Sequence, residues 1–240
     1  MVNVVKQLVD QSDHIVVFSG SAIDREAGLY GAFQEERAYD IEARFHYSPE
    51  EIATERFWST RSDLFFKYFR EYIVDQEKLQ PQAAHRAIRN LELRGKLSAV
   101  VTRSIYGLHQ MAGINRVIEL HGSIHRCSCP RCGRVYPLDY IMNSYGVAHC
   151  EQCRVVLKPG FSMFGDNVDN GKISQVAEAI THADMLIIAG PSADSRLAQY
   201  MMQYYQGDRL VLINAGEHNV SKEVNYVIDG SSNEILPRIF

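Results

Sequence analysis

The chain has 240 residues, 46% of them hydrophobic, a formal net charge of −4 and a mean hydropathy of −0.21, the figures of an ordinary folded protein with enough apolar material for a sizeable core. That length exceeds one minimal domain and falls short of two full-sized ones, which favours a core domain carrying a small insert. Disordered and fibrous architectures are excluded. The longest apolar runs are strand-sized, far below the roughly 18 to 20 residues of a membrane helix, and the acidic balance gives no global attraction to nucleic acid phosphates.

Val4, Val5, Leu8 and Val9 recur at helical spacing, without the basic start and small-residue cleavage site of a secretory leader, so a cytoplasmic location is expected. His14 to Ser19 reads as a buried strand, and Gly20-Ser21-Ala22-Ile23 as the turn into a helix. Residues 29 to 47 show no firm period and read as a loop. Ser48-Pro-Glu-Glu51 has the N-cap, first-turn proline and capping-box acid of a helix start. Helices are predicted over Phe57 to Gln76 and over Gln82 to Arg94, the second stopped by Gly95. β-rich runs follow at Leu97 to Thr102, Arg116 to Leu120, Asp184 to Ala189, Arg209 to Asn214 and Asn225 to Ile228. They are separated by helical segments around Leu108, Ile173 to Thr181 and Ser195 to Tyr205. This alternation implies an α/β fold, a parallel sheet with helices on both faces, whose ligands bind beyond the carboxyl ends of the strands.

All five cysteines lie between Cys127 and Cys153. Cys129-Pro-Arg-Cys132 and Cys150-Glu-Gln-Cys153, 17 residues apart, have the spacing that brings four thiolates to one tetrahedral zinc. Four thiolates saturate the metal, so the site is structural rather than catalytic. Cys127 and His149 are near enough in sequence to replace a ligand. Residues 121 to 158 carry five Lys/Arg against Asp139 and Glu151, a surplus that leaves a nucleic-acid-binding zinc ribbon open and fits solvated surface better.

The motifs, in order, resemble those of the sirtuins, the NAD-dependent protein deacylases. The family's GAG-I-S-x-E-S-G is similar to Gly20-Ser-Ala-Ile-Asp-Arg-Glu-Ala-Gly28, its P-x-x-A-H to Pro81-Gln-Ala-Ala-His85, and its T-Q-N-I-D-G-L-H-Q-x-A-G to Thr102-Arg-Ser-Ile-Tyr-Gly-Leu-His-Gln-Met-Ala-Gly113. E-L-H-G-S is unchanged as Glu119 to Ser123. R-P-x-x-x-x-F-G-E is similar to Lys158-Pro-Gly-Phe-Ser-Met-Phe-Gly-Asp166, G-T-S to Gly190-Pro-Ser192, and the strand ending in I-N to Ile213-Asn214. The resemblance implies a discontinuous Rossmann-like NAD-binding domain, residues 1–123 and 159–240, with an inserted zinc-ribbon module at 124–158. It implies NAD as co-substrate, a structural Zn2+ and an acylated-lysine protein or peptide as partner, with no nucleic acid and no membrane.

The resemblance also assigns roles. His121 matches the general base. Gly20, Ser21, Ala22, Ile23, Arg103, Ser104, Ile105, Tyr106, Gly190, Ser192 and Asn214 match cofactor-contacting positions, and Phe164 and Gly165 match the strand that pairs with the peptide. Several departures from the pattern fall on the chemistry, Ala22 in place of the second glycine among them. Ser104 and Tyr106 stand where the family has the Asn and Asp that hold the nicotinamide ribose and carboxamide, Arg103 replaces Gln, and Asp24 is expected to put a negative charge beside the cofactor phosphates. A catalytically silent NAD- or ADP-ribose-binding module and a protein ADP-ribosyltransferase are the alternatives.

Overall fold

The apolar runs without polar alternation become strands buried on both faces. The computed structural model describes residues 1–29, 35–75, 79–190, 196–214 and 224–240. Among these residues the strands are β1 (Ile15–Ser19), β2 (Leu97–Thr102), β3 (Val117–Glu119), β4 (Gly122–Ser128), β5 (Val135–Pro137), β6 (Lys158–Phe161), β7 (Met185–Ala189), β8 (Leu210–Asn214) and β9 (Tyr226–Asp229). Six form one parallel sheet in the order β3-β2-β1-β7-β8-β9, and every residue of β1, β7 and β8 is buried. Numbered within their own sheet these strands run 3-2-1-4-5-6, the doubly wound order, which reverses between β1 and β7.

The pleat sends alternate residues of β1 to opposite faces. Ile15 and Val17 pack with Val5 and Val9 of α1 (Val2–Asp10), and with side chains of α7 (Ala83–Leu93) and α12 (Ser232–Ile239). Val16 and Phe18 pack with Val176 and Ile180 of α10 (Asn170–Thr181) and with Met201 and Met202 of α11 (Arg196–Met202). Gly95 ends α7 at a φ of 76°, as its position after Arg94 predicts.

The remaining elements build a second layer. It comprises α3 (Glu35–Phe45), α4 (Pro49–Ile52), α5 (Glu55–Thr60), α6 (Ser62–Tyr68), a π-helical turn over Phe69–Ile73, α8 (Leu108–Met111) and α9 (Leu138–Asn143), whereas α2 (Ser21–Glu26) packs on α12 and puts Ile23 among the side chains around β1. The small antiparallel sheet, in the order β5-β4-β6, lies beside them. The capping box predicted at Ser48 is formed, with the Glu51 N–H donating to Ser48 Oγ at 3.2 Å.

Two expectations are corrected. The segment read as a loop from 29 to 47 contains α3, whose apolar stripe is only Ile41 and Phe45, too narrow to register as a period. Its helicity is decided by burial of those two side chains in the second core. The single helix expected over Phe57 to Gln76 is broken at Arg61, where φ is −135° and ψ 49°; α5 and α6 are separate pieces, and the π-helical turn follows. Trp58 explains the break. Its Nε1–H donates 3.0 Å to the Leu157 carbonyl, fixing α5 against the cysteine module, while Phe65, Phe66 and Phe69 turn into the core they share with it.

Candidate active site

Every strand of the large sheet ends at the same edge, and the residues singled out in the sequence collect there because they follow strand ends. Gly20 follows β1 and its N–H donates to Ala189 at the end of β7; the Gly190 N–H in turn donates to Ile213 at the end of β8. Arg103, Ser104, Ile105 and Tyr106 follow β2, Asn214 closes β8, and His121 lies two residues beyond β3. Ser21, Ala22 and Ile23 form the first turn of α2. Ser192 lies outside the described residues.

His121 is held from both sides. Its carbonyl accepts the Ser162 N–H at 2.8 Å, and Gly122 after it, at a φ of 75°, runs so close to the Gly160 carbonyl that any Cβ there would clash. Glu119 secures the approach: its carboxylate accepts from Gln110 at 2.9 Å and from Arg126 at 2.8 Å, and its carbonyl accepts from Lys172 Nζ at 2.6 Å. The imidazole faces a cavity of about 840 Å³ lined with Arg103, Arg196, Asp166, Asp169 and Ile173. Burial, then the charges of Arg103 and Lys172, hold its pKa down to about 4. Arg103 Nε–H donates to His121 Nε2 at 3.4 Å, which puts the neutral ring's proton on Nδ1. Lys172, whose own pKa is lowered by burial, gave no sequence signal; only folding of α10 against β3 brings it here.

Ser104 is buried and its Oγ accepts the Tyr106 N–H at 3.3 Å, a local turn contact. Tyr106 is buried, its carbonyl taking the His125 Nε2–H at 2.9 Å, and burial pushes its hydroxyl well above the usual tyrosine range. Asp24 lies in the first turn of α2. It is 1% exposed, and its Oδ1 points to His85 Nε2 at 3.8 Å. The helical turn carries this side chain inward toward His85.

Phe164 and Gly165 lie in a turn beyond β6 and outside any strand; the Phe164 N–H donates to the Ala53 carbonyl at 2.6 Å. A peptide pairing at this point has to use other backbone groups.

The four sulfurs of Cys129, Cys132, Cys150 and Cys153 lie within 4.8 Å of one another. Cys132 and Cys150 Sγ are 3.8 Å apart, the edge of a tetrahedron with metal–sulfur bonds of about 2.3 Å. N–H groups of Arg131 and Cys132 point at Cys129 Sγ, and that of Cys153 at Cys150 Sγ, all at 3.4 Å, the arrangement of two metal knuckles. This donor set fits zinc. Neither alternative ligand joins it: Cys127 is buried in the apolar core, and His149 Nδ1–H donates to the Val147 carbonyl.

The fold and this edge of the sheet define a doubly wound α/β protein with a four-cysteine metal-ligand module. Residues 19–196 match the sequence pattern of the Sir2 family, so the chain belongs to the sirtuins. It is 33% identical over 239 residues to an NAD-dependent protein deacetylase of Clostridium acetobutylicum, covering 99% of this chain and 97% of that one. A protein of the same description from Clostridium tetani is 33% identical over 232 residues, 96% of this chain and 94% of the other. A solved structure reported under "Structural Basis for the Mechanism and Regulation of Sir2 Enzymes" superposes with a TM-score of 0.82 at 26% identity, over 99% of this chain and 94% of its own.

Proposed function

We propose that this chain is an NAD-dependent protein-lysine deacylase that transfers the acyl group of an acylated lysine to the ADP-ribose part of NAD and releases nicotinamide. The observation that carries this reading is His121: a neutral imidazole, at the strand edge where the fold binds ligands, opening on a cavity. When bound, NAD supplies an electrophilic ribose carbon and a leaving nicotinamide. The work of the chain is to position and to move one proton. His121 accepts it at Nε2, the lone pair that Arg103 now occupies, so Arg103 has to withdraw as substrate enters. The resulting imidazolium is unfavourable beside Arg103 and Lys172, which drives the proton onward.

Gly20, Ser21, Ala22, Ile23, Ile105, Gly190, Ser192 and Asn214 take the cofactor in this proposal, and Phe164 and Gly165 flank the peptide. Cys129, Cys132, Cys150 and Cys153 hold one structural zinc in the module 124–158, which rests on α3 to α6. The larger unit comprises 1–123 and 159–240. Among the described residues no helix is long and apolar enough to cross a membrane, and we place the reaction in the cytoplasm.

A second reading, an NAD- or ADP-ribose-binding module without turnover, is favoured by one observation. The Ser104 hydroxyl, in the family's Asn place, is already engaged by the Tyr106 N–H. Incubation with NAD and mixed acylated peptides, following nicotinamide by mass, separates the two. The deacylase releases nicotinamide, and His121→Ala lowers the rate at least about a hundredfold. Nucleotide binding without release in the wild type supports the silent module, and undiminished release in the variant removes His121 as the base.

A further inference from the structure

The helical layer holds a second cavity, of about 600 Å³, that shares no residue with the cavity at His121. Two irregular backbone conformations build its walls. His46 has a φ of 61°, a left-handed value that residues other than glycine seldom adopt, and it delivers Tyr47 to one wall. On the other, the break between α5 and α6 brings the Arg61 guanidinium over the Tyr47 ring, 5.9 Å from its centroid. The buried Phe57 meets that ring edge to face at 5.0 Å and fixes it. Unusual backbone of this kind persists only where its surroundings hold it, and it clusters where ligands are clamped.

The lining is basic, with Arg56 and Arg61 against the single carboxylate of Glu51. Glu51 is committed to its capping box, where Oε2 accepts the Ser48 N–H at 3.1 Å. Glu55, next to Arg56 in sequence, is paired instead with Lys158 Nζ at 2.9 Å. Arg56 is exposed, and among the described residues its guanidinium has no ion pair or hydrogen bond. The cavity also has a fixed place relative to the proposed peptide. Thr54 lines it, and the adjoining Ala53 carbonyl accepts the Phe164 N–H at 2.6 Å, at the turn that flanks the peptide.

From this we infer that the cavity between Tyr47, Arg56 and Arg61 is a subsite for an acidic side chain of the acylated protein, an Asp or Glu a few residues along the chain from the acylated lysine. The inference rests on the deacylase reading and deepens it by naming the sequence context that the substrate supplies. A guanidinium stacked on an aromatic face keeps its N–H fork turned outward, ready for a carboxylate, and the second guanidinium adds charge-assisted hydrogen bonds. An extended peptide covers about 10 Å in three residues, so a side chain on either flank of the lysine can bridge from the Phe164 turn to this neighbouring cavity.

The test uses the full zinc-loaded chain and short fluorescein-labelled peptides with a central acetyl-lysine, in which Glu or Lys occupies each flanking position in turn. Binding is read by anisotropy, and nicotinamide release in the presence of NAD is followed in parallel. At one flanking position at least, the Glu peptide is expected to bind about tenfold tighter than its Lys counterpart, a preference that shrinks as salt is raised. In turnover the same preference should lie in KM, with kcat alike for the two peptides within about twofold. The double variant Arg56→Gln, Arg61→Gln should reduce the binding preference to about twofold or less. Should that variant not fold, Arg56→Gln alone, at an exposed position of α5, should reduce it by about threefold. Equal affinity for Glu and Lys peptides at every position, or a preference that survives in the variants, overturns the subsite. Nicotinamide release without a Glu preference keeps the deacylase reading and removes this one; a Glu preference in binding without any release keeps the subsite and removes the deacylase.

Discussion

The two cores of this chain are made of different material. Around the parallel sheet the buried residues are mostly aliphatic, Ile15, Val16, Val17, Leu186, Ile187, Ile188, Val211 and Leu212 among them, on strands whose backbones are paired by a continuous ladder. The second core is aromatic, with Phe45, Trp58, Phe65, Phe66, Tyr68, Phe69 and Tyr72, and Phe69 stacks on Phe161 of β6 at 5.9 Å. Its helices between Pro49 and Tyr68 are four to seven residues long, below the length at which a helix is stable alone. They are tied to the cysteine module by Trp58 and by Arg70, whose Nη2–H groups donate to the Ile141 and Ser144 carbonyls at 2.9 and 3.0 Å. One region therefore stands on its backbone ladder and aliphatic packing, and the other on side chains gathered around four sulfurs. His121 is at their seam, between β3 of the first and β4 of the second.

The largest predicted effect is on the aromatic region. Cys150→Ser should lower bound zinc from one per chain toward none and remove metal-linked folding free energy of about 10 kcal/mol. Near-ultraviolet dichroism should lose its aromatic signal while the sheet keeps much of its far-ultraviolet signal; a variant with full zinc content and an unchanged aromatic signal would break the comparison. Ile187→Ala, in the middle of the aliphatic core, should cost roughly 2 to 5 kcal/mol in urea unfolding without changing the zinc content.

A third prediction concerns pH. His109 and His121 are held neutral in the fold, with pKa values of about 3 and about 4. A group whose folded pKa is depressed binds its proton first in the unfolded chain, so its contribution is present above the unfolded value near 6.5 and is lost as pH falls through the folded value. Stability should therefore decline from about pH 6.5 downward, by up to about 1.4 kcal/mol per pH unit from the fully buried His109 and less from His121. In urea unfolding at a series of pH values, His109→Gln should flatten that slope; an unaltered slope would assign the acid sensitivity to the zinc thiolates. The smallest effect is expected at Ser48→Ala, about 1 kcal/mol from the lost cap, seen as a small fall in melting temperature.

Much of the frame was legible because its signals are local. Strand runs such as Met185–Ala189 need no partner to be recognised, the Ser48 box and Gly95 stop are set by neighbouring residues, and the cysteine spacing brings four thiolates together whatever surrounds them. The helix α3 was not legible, because two buried side chains in eleven residues leave no period. The break at Arg61 was hidden for the opposite reason: the aromatic run reads as one helix, and only the reach of Trp58 to Leu157 interrupts it.

The sequence by itself determined the six strands of the large sheet, the four clustered cysteines and the position of His121, since each depends on spacing along the chain. Tertiary structure alone decided the electrostatics of the site. Arg103 and Lys172 meet at His121 from positions 69 residues apart, and Asp24 turns inward to His85 on another helix. Charge acts through space and burial, and neither is encoded in the separation of residues along the chain.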